Sequence, residues 1–126
     1  MDALLPIAAF CGFLGVLLGA AGAHMLAGKL SEIEHQWWHT AVFYHLIHTL
    51  LLLIVAFWAK RNPSKWLKYC AVSVFLGIIF FSGSLYLLAL TQSHFLVYFT
   101  PVGGLGFVLG WIFLSLSHRD IQKHHG

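Results

Sequence analysis

Four apolar stretches of roughly twenty residues alternate along the chain with short polar connections, over about 3–25, 38–58, 66–90 and 98–117. Each is long enough to carry a helix across a hydrocarbon layer of about 30 Å. None holds Asp, Glu or Arg, and Lys68 stands close enough to the start of the third stretch to snorkel to the headgroups. The runs lack the alternation of polar and apolar positions that a barrel strand needs. The pattern therefore predicts an all-α integral membrane protein, a four-transmembrane-helix bundle, with residues 1–126 forming a single domain.

The connections carry their own punctuation. Ser31-Glu32-Ile33-Glu34 is an S-x-x-E capping box, which predicts that the second helix starts near Glu32, before it enters lipid. Asn62-Pro63 stops that helix. The stretch "TQSHFLVYF" reads as an interfacial strip, and Thr100-Pro101 as a helix start with Thr as cap and Pro in the first turn. Trp37 and Trp38 are expected at one headgroup level, and Trp58 and Trp66 at the other.

Composition supports the same solvent. Hydrophobic residues make up 60% of the 126 and charged residues 9%, against about 25% in soluble domains. A water-soluble chain of this length has too little interior to bury so much apolar surface. Lys60, Arg61, Lys65, Lys68, Arg119 and Lys123 share one side with the N-terminus, and Lys29 stands alone on the other. The positive-inside rule then places both termini in the cytoplasm, in the cytoplasmic membrane. The net charge of +3 is spread along membrane edges, a distribution suited to anionic lipid headgroups and not to nucleic acid. Ala21-Gly22-Ala23 resembles a signal-peptidase site, but no Lys or Arg precedes the apolar run, which also exceeds a signal core in length. Cys11 and Cys70 fall in cytoplasmic halves of their helices and are expected to pack as small hydrophobes.

Small residues recur at helix-packing spacing: Ala8, Gly12, Gly15, Gly19 and Gly22 in the first span, Gly103, Gly106 and Gly110 in the fourth. Gly77 and the cluster Ser82-Gly83-Ser84 mark the third. Such faces allow backbones to approach closely where helices associate in lipid.

Nine histidines supply the candidate chemistry. His45 and His48 lie deep in the second span, where an ionisable side chain is a site candidate. No acidic residue shares that depth, so neutral imidazoles acting as interhelical glue are the preferred reading. His24, Thr40, Tyr44, His48, Ser82 and Ser84 compose the candidate polar seam, functional or structural. Within it, His24 is expected to anchor the carbonyls that end the first helix, with Thr40 and Tyr44 close by. His35 and His39 share one helical face, and with His24 they are the candidate metal ligands. Haem would need facing histidines at one depth, and spans three and four hold none. No cofactor is predicted, and no catalytic constellation is evident.

The motif Gly19-Ala20-Ala21-Gly22-Ala23-His24 resembles the GAxGAH motif of the YgdD-like family, small four-span membrane proteins classed as a domain of unknown function. The resemblance continues through Thr40, Tyr44 and His48-Thr49-Leu50, through "FSGSLYLLAL" (Phe81 to Leu90) and "TPVGGLGFVLGW" (Thr100 to Trp111). It implies the four-helix topology and marks His24 and His48 as motif positions, with His35, His39 and His45 outside. It implies no reaction. The expected role is binding or accessory, toward membrane lipids, a membrane-protein partner or a homo-oligomeric copy. Transport of a small solute, ion or metal by an oligomer is the alternative, and an outer-surface metal or redox site the third.

Overall fold

In the computed structural model, which describes residues 1–125, four long helices follow one another with no strand among the described residues. They are α1 (Leu4–His24), α2 (Glu32–Arg61), α3 (Lys65–Thr91) and α4 (Phe99–His125). All four are long and apolar enough to cross a membrane. Gly126 and the side chains of His124 and His125 lie outside the described residues.

The helix ends follow from local chemistry. The Ser31 hydroxyl accepts from the Glu34 amide at 3.2 Å, and the Glu34 carboxylate accepts from the Ser31 amide at 2.8 Å, so α2 starts where the capping box predicts. The second carboxylate oxygen of Glu34 takes the side-chain amide of Gln92, tying the two connections at that end together. At the other end, the Ser64 hydroxyl accepts from the Trp66 amide and donates to Asp120 of α4 at 2.6 Å. This second end carries the start of α1, the end of α4 and the cations Lys60, Arg61, Lys65, Lys68, Arg119 and Lys123.

Two expectations need correction. Thr100 does not cap α4. The helix begins at Phe99, after a 3-10 turn at His94–Tyr98 whose Leu96 carbonyl accepts from the Phe99 amide. With backbone partners supplied by that turn, the Thr100 hydroxyl is released to share a 2.6 Å hydrogen bond with Ser84 of α3. Trp38 does not stand in an interfacial belt either. It is buried in the bundle, and its indole N–H donates to the Leu18 carbonyl of α1 at 2.8 Å.

Why Trp38 turns inward is answered by the small residues of α1. A Cβ on Gly22 would lie 2.5 Å from the Trp38 ring, one on Gly19 3.3 Å from Val42, and one on Gly15 2.5 Å from Leu46. Each glycine is thus a hole filled by a side chain of α2, at the heptad spacing of an antiparallel helix pair. The pairing of α3 with α4 is closer still. A Cβ on Gly103 would overlap the main chain of Phe80 and Phe81, and one on Gly106 would lie 2.9 Å from the Ser73 carbonyl. The approach occurs where α3 makes one π-helical turn, Ile78–Ser82, the type of irregularity that re-aims a helix face.

Buried apolar residues form two clusters. One, toward the cation-rich end, is built around Leu52, Val55, Leu67, Cys70 and Val74. The other surrounds Trp38, Ala41, Leu85 and Leu88. His45, His48, Thr49 and Ser82 lie between them along α2 and α3. The outer surface is apolar, with Phe10, Phe13, Ile54, Leu105 and Val108 each more than half exposed, which suits contact with lipid and not water.

Gly103→Ala should lower the detergent melting temperature of the full chain, because the new methyl meets main chain that cannot swing aside; overpacking of this kind costs about 1–3 kcal/mol. Gly83→Ala, where the nearest atom would be 4.0 Å away, should leave the melting temperature unchanged or raise it. Equal melting of the two variants would show that α3 and α4 are not in backbone contact.

A polar layer across the bundle

α2 turns one stripe of residues inward: Glu34, Trp38, Ala41, His45, His48, Leu52 and Val55 are all buried. Their alternating steps of four and three keep one face toward the neighbouring helices. His45 and His48 differ by three residues, so their rings leave α2 about 60° apart and reach different partners.

His45 joins three helices. Nε2 lies 2.8 Å from the Cys11 carbonyl of α1, and Nδ1 lies 2.9 Å from the Tyr86 hydroxyl of α3. A carbonyl only accepts, so Nε2 carries the proton and Nδ1 accepts from the Tyr86 O–H. His48 has the opposite tautomer. Its Nδ1–H donates to the Tyr44 carbonyl at 2.8 Å, and Nε2 accepts from the Trp111 indole N–H of α4 at 3.1 Å. The His48 ring also lies flat on Phe107, with centroids 3.7 Å apart. Nearby, Ser82 donates to the Ala41 carbonyl at 2.8 Å and Thr49 to the His45 carbonyl at 2.7 Å. Among the described residues, no buried side-chain nitrogen or oxygen is left without a partner.

The structure brings Tyr44, His48, Ser82 and Ser84 into this layer or its margin, and it leaves His24 and Thr40 outside it. The His24 side chain is exposed and makes no hydrogen bond among the described residues, whereas it was expected to hold the carbonyls that end α1; of these the Ala21 carbonyl accepts from the Met25 and Leu26 amides. The Thr40 hydroxyl is exposed with no hydrogen bond among the described residues, and Tyr44 offers its ring to Phe81 and Phe107 and its carbonyl to His48. His35 and His39 line a small cleft of about 60 Å³ with Gly19, Gly22 and Trp38. Among the described residues, no three His, Cys, Asp or Glu side chains are grouped to hold a metal ion. Cys11 and Cys70 are buried free thiols.

His45, Tyr86 and Trp111 belong to the layer although the seam predicted from sequence omits them. Depth in the second span singles out His45 as clearly as His48. Its partner is a main-chain carbonyl, which no side-chain pattern reveals.

Comparison with known proteins adds family and not chemistry. The family described as "Protein of unknown function (DUF423)" matches residues 18–104. The UPF0382 inner membrane protein YgdD of Escherichia coli K12 is 40% identical over 120 residues, covering 95% of this chain and 92% of that protein. The UPF0382 membrane protein YwdK of Bacillus subtilis is 40% identical, covering 93% of this chain and 96% of that protein. A Staphylococcus haemolyticus membrane protein of the same group is 42% identical over 117 residues. No solved structure matches the chain.

The opposite tautomers are open to nitrogen-15 NMR of the detergent-solubilised chain with labelled histidine. Nε2 of His45 and Nδ1 of His48 should show the shifts of protonated ring nitrogens. His45→Leu should destabilise the fold by about 1–3 kcal/mol, since it strands the Tyr86 hydroxyl away from water. Identical tautomers for the two rings, or an unchanged melting temperature for His45→Leu, would contradict the assigned network.

Proposed function

The chain belongs to the DUF423 family, and from that premise we propose that it is a binding or accessory component of the cytoplasmic membrane, with both termini in the cytoplasm. It is a multi-pass membrane protein; the reading goes further by placing its activity on the surface that faces lipid or partners.

The observation that carries this reading is the closure of the polar layer. A transport path needs polar groups that water or a solute can reach in turn. Here the polar groups spend their bonds on one another and on main chain. His48 is held between an obligate acceptor and an obligate donor, the Tyr44 carbonyl and the Trp111 N–H. A proton arriving at Nε2 would set N–H against N–H, so a relay would have to break the interhelical bond at every step. The larger clefts open on the outside of the bundle, at the cation-rich end and along α3 and α4. Orientation rests on the six cations at the end that carries the termini.

Proteoliposomes holding the purified full chain should pass protons, potassium and zinc no faster than protein-free vesicles. Flux above that background, lost in His48→Leu, would overturn the reading in favour of transport. A reporter fused at the C-terminus should be active only when it is of the type that works in the cytoplasm; activity of a periplasmic reporter there would reverse the orientation.

A further inference from the structure

We propose that the groove between α2 and α4 at the cation-rich end holds one anionic phospholipid. The groove encloses about 980 Å³, within the range of small-molecule sites. Leu53, Ile54, Phe57 and Ile121 make its wall, and Lys60 and Arg61 stand at its rim. A second cleft of about 320 Å³ shares Ile54 and Ile121 and adds His118.

Depth and charge identify the occupant. From Arg61 to Leu53 the wall descends eight residues, about 12 Å along the helix, so an object seated at the rim extends into the hydrocarbon. Its lower part must be apolar and chain-like. At the rim, among the described residues, no ion pair neutralises Lys60 or Arg61. The nearest acid on α4, Asp120, is committed to the Ser64 hydroxyl, and Lys60 has only the Phe57 ring, 6.0 Å from its ammonium. The half-exposed Trp58 indole stands beside them, and its N–H donates to no acceptor among the described residues. Two cations and an indole N–H donor above an apolar slot fit a phosphodiester with an acyl chain beneath it. A second copy of this chain would bring its own cations against these. A soluble peptide would have to enter lipid to fill the slot.

The site deepens the binding reading above and rests on it, by naming the ligand class and its place. Native mass spectrometry of the full chain, titrated with phosphatidylglycerol or phosphatidylcholine of equal acyl length, tests it. The parent should retain one phosphatidylglycerol at least tenfold more tightly than phosphatidylcholine. The pair Lys60→Gln and Arg61→Gln should erase most of that preference, at about fivefold per cation. The pair Lys65→Gln and Lys68→Gln removes the same charge on α3, where Lys65 lies over Trp66, and should leave the preference intact. Ile54→Trp, on an exposed wall position, should weaken both lipids by filling the slot without lowering the melting temperature. Equal loss in the two charge pairs would reduce the effect to general surface potential and overturn the site. Indifference to Ile54→Trp, or equal retention of the two lipids by the parent, would overturn it as well. Those outcomes leave the flux experiment untouched, so failure of the site and failure of the binding reading are told apart.

Discussion

A polar side chain that leaves water for hydrocarbon must find its partner inside the protein. α2 carries two imidazoles to that depth, three residues apart, and the arrangement of the other helices answers to them. His45 is met by a carbonyl of α1 and a hydroxyl of α3, and His48 by an indole of α4. Each bond is worth only about 1 kcal/mol net. An unpaired imidazole in lipid would cost several times more, so the layer specifies how α2 is rotated against its neighbours more than it adds to their affinity.

These bonds exist because helices come close enough to make them. The ring of His45 reaches main chain of α1 only where that helix has shed its side chains, at Gly12 and Gly15, opposite Thr49, His45 and Leu46. Farther along, Gly19 and Gly22 admit Val42 and Trp38, and the Trp38 indole finds the Leu18 carbonyl. Close approach and polar satisfaction are therefore one device used twice, with glycine making the room and a ring nitrogen filling it. α3 and α4 use a different version, in which Gly103 and Gly106 bring backbone to backbone beside the π-helical turn.

On the proposed binding reading, a bundle whose interior is occupied in this way acts at its surface. That surface is apolar helix except at its ends, where one end closes on the Ser31, Glu34 and Gln92 contacts and the other carries cations that form no ion pair among the described residues. The asymmetry is what the proposed lipid site rests on, since the groove beside Lys60 and Arg61 joins an apolar wall to two cations.

The sequence by itself determined the span count, the start of α2 at its capping box, the small-residue faces and the place of His45 and His48 midway along α2. All of these are properties of distance along one chain, and hydropathy, helical rise and local hydrogen bonding suffice to read them. It misplaced Trp38, Thr100 and the partners of His24. Gly22, which makes room for the Trp38 ring, and Leu18, whose carbonyl accepts from its indole, belong to a different helix, and the hydroxyl that claims Thr100 belongs to Ser84. Which way a side chain points around its helix, and what it meets there, was decided by tertiary structure alone. The partners of both buried histidines include main-chain carbonyls, which every residue possesses and no motif marks.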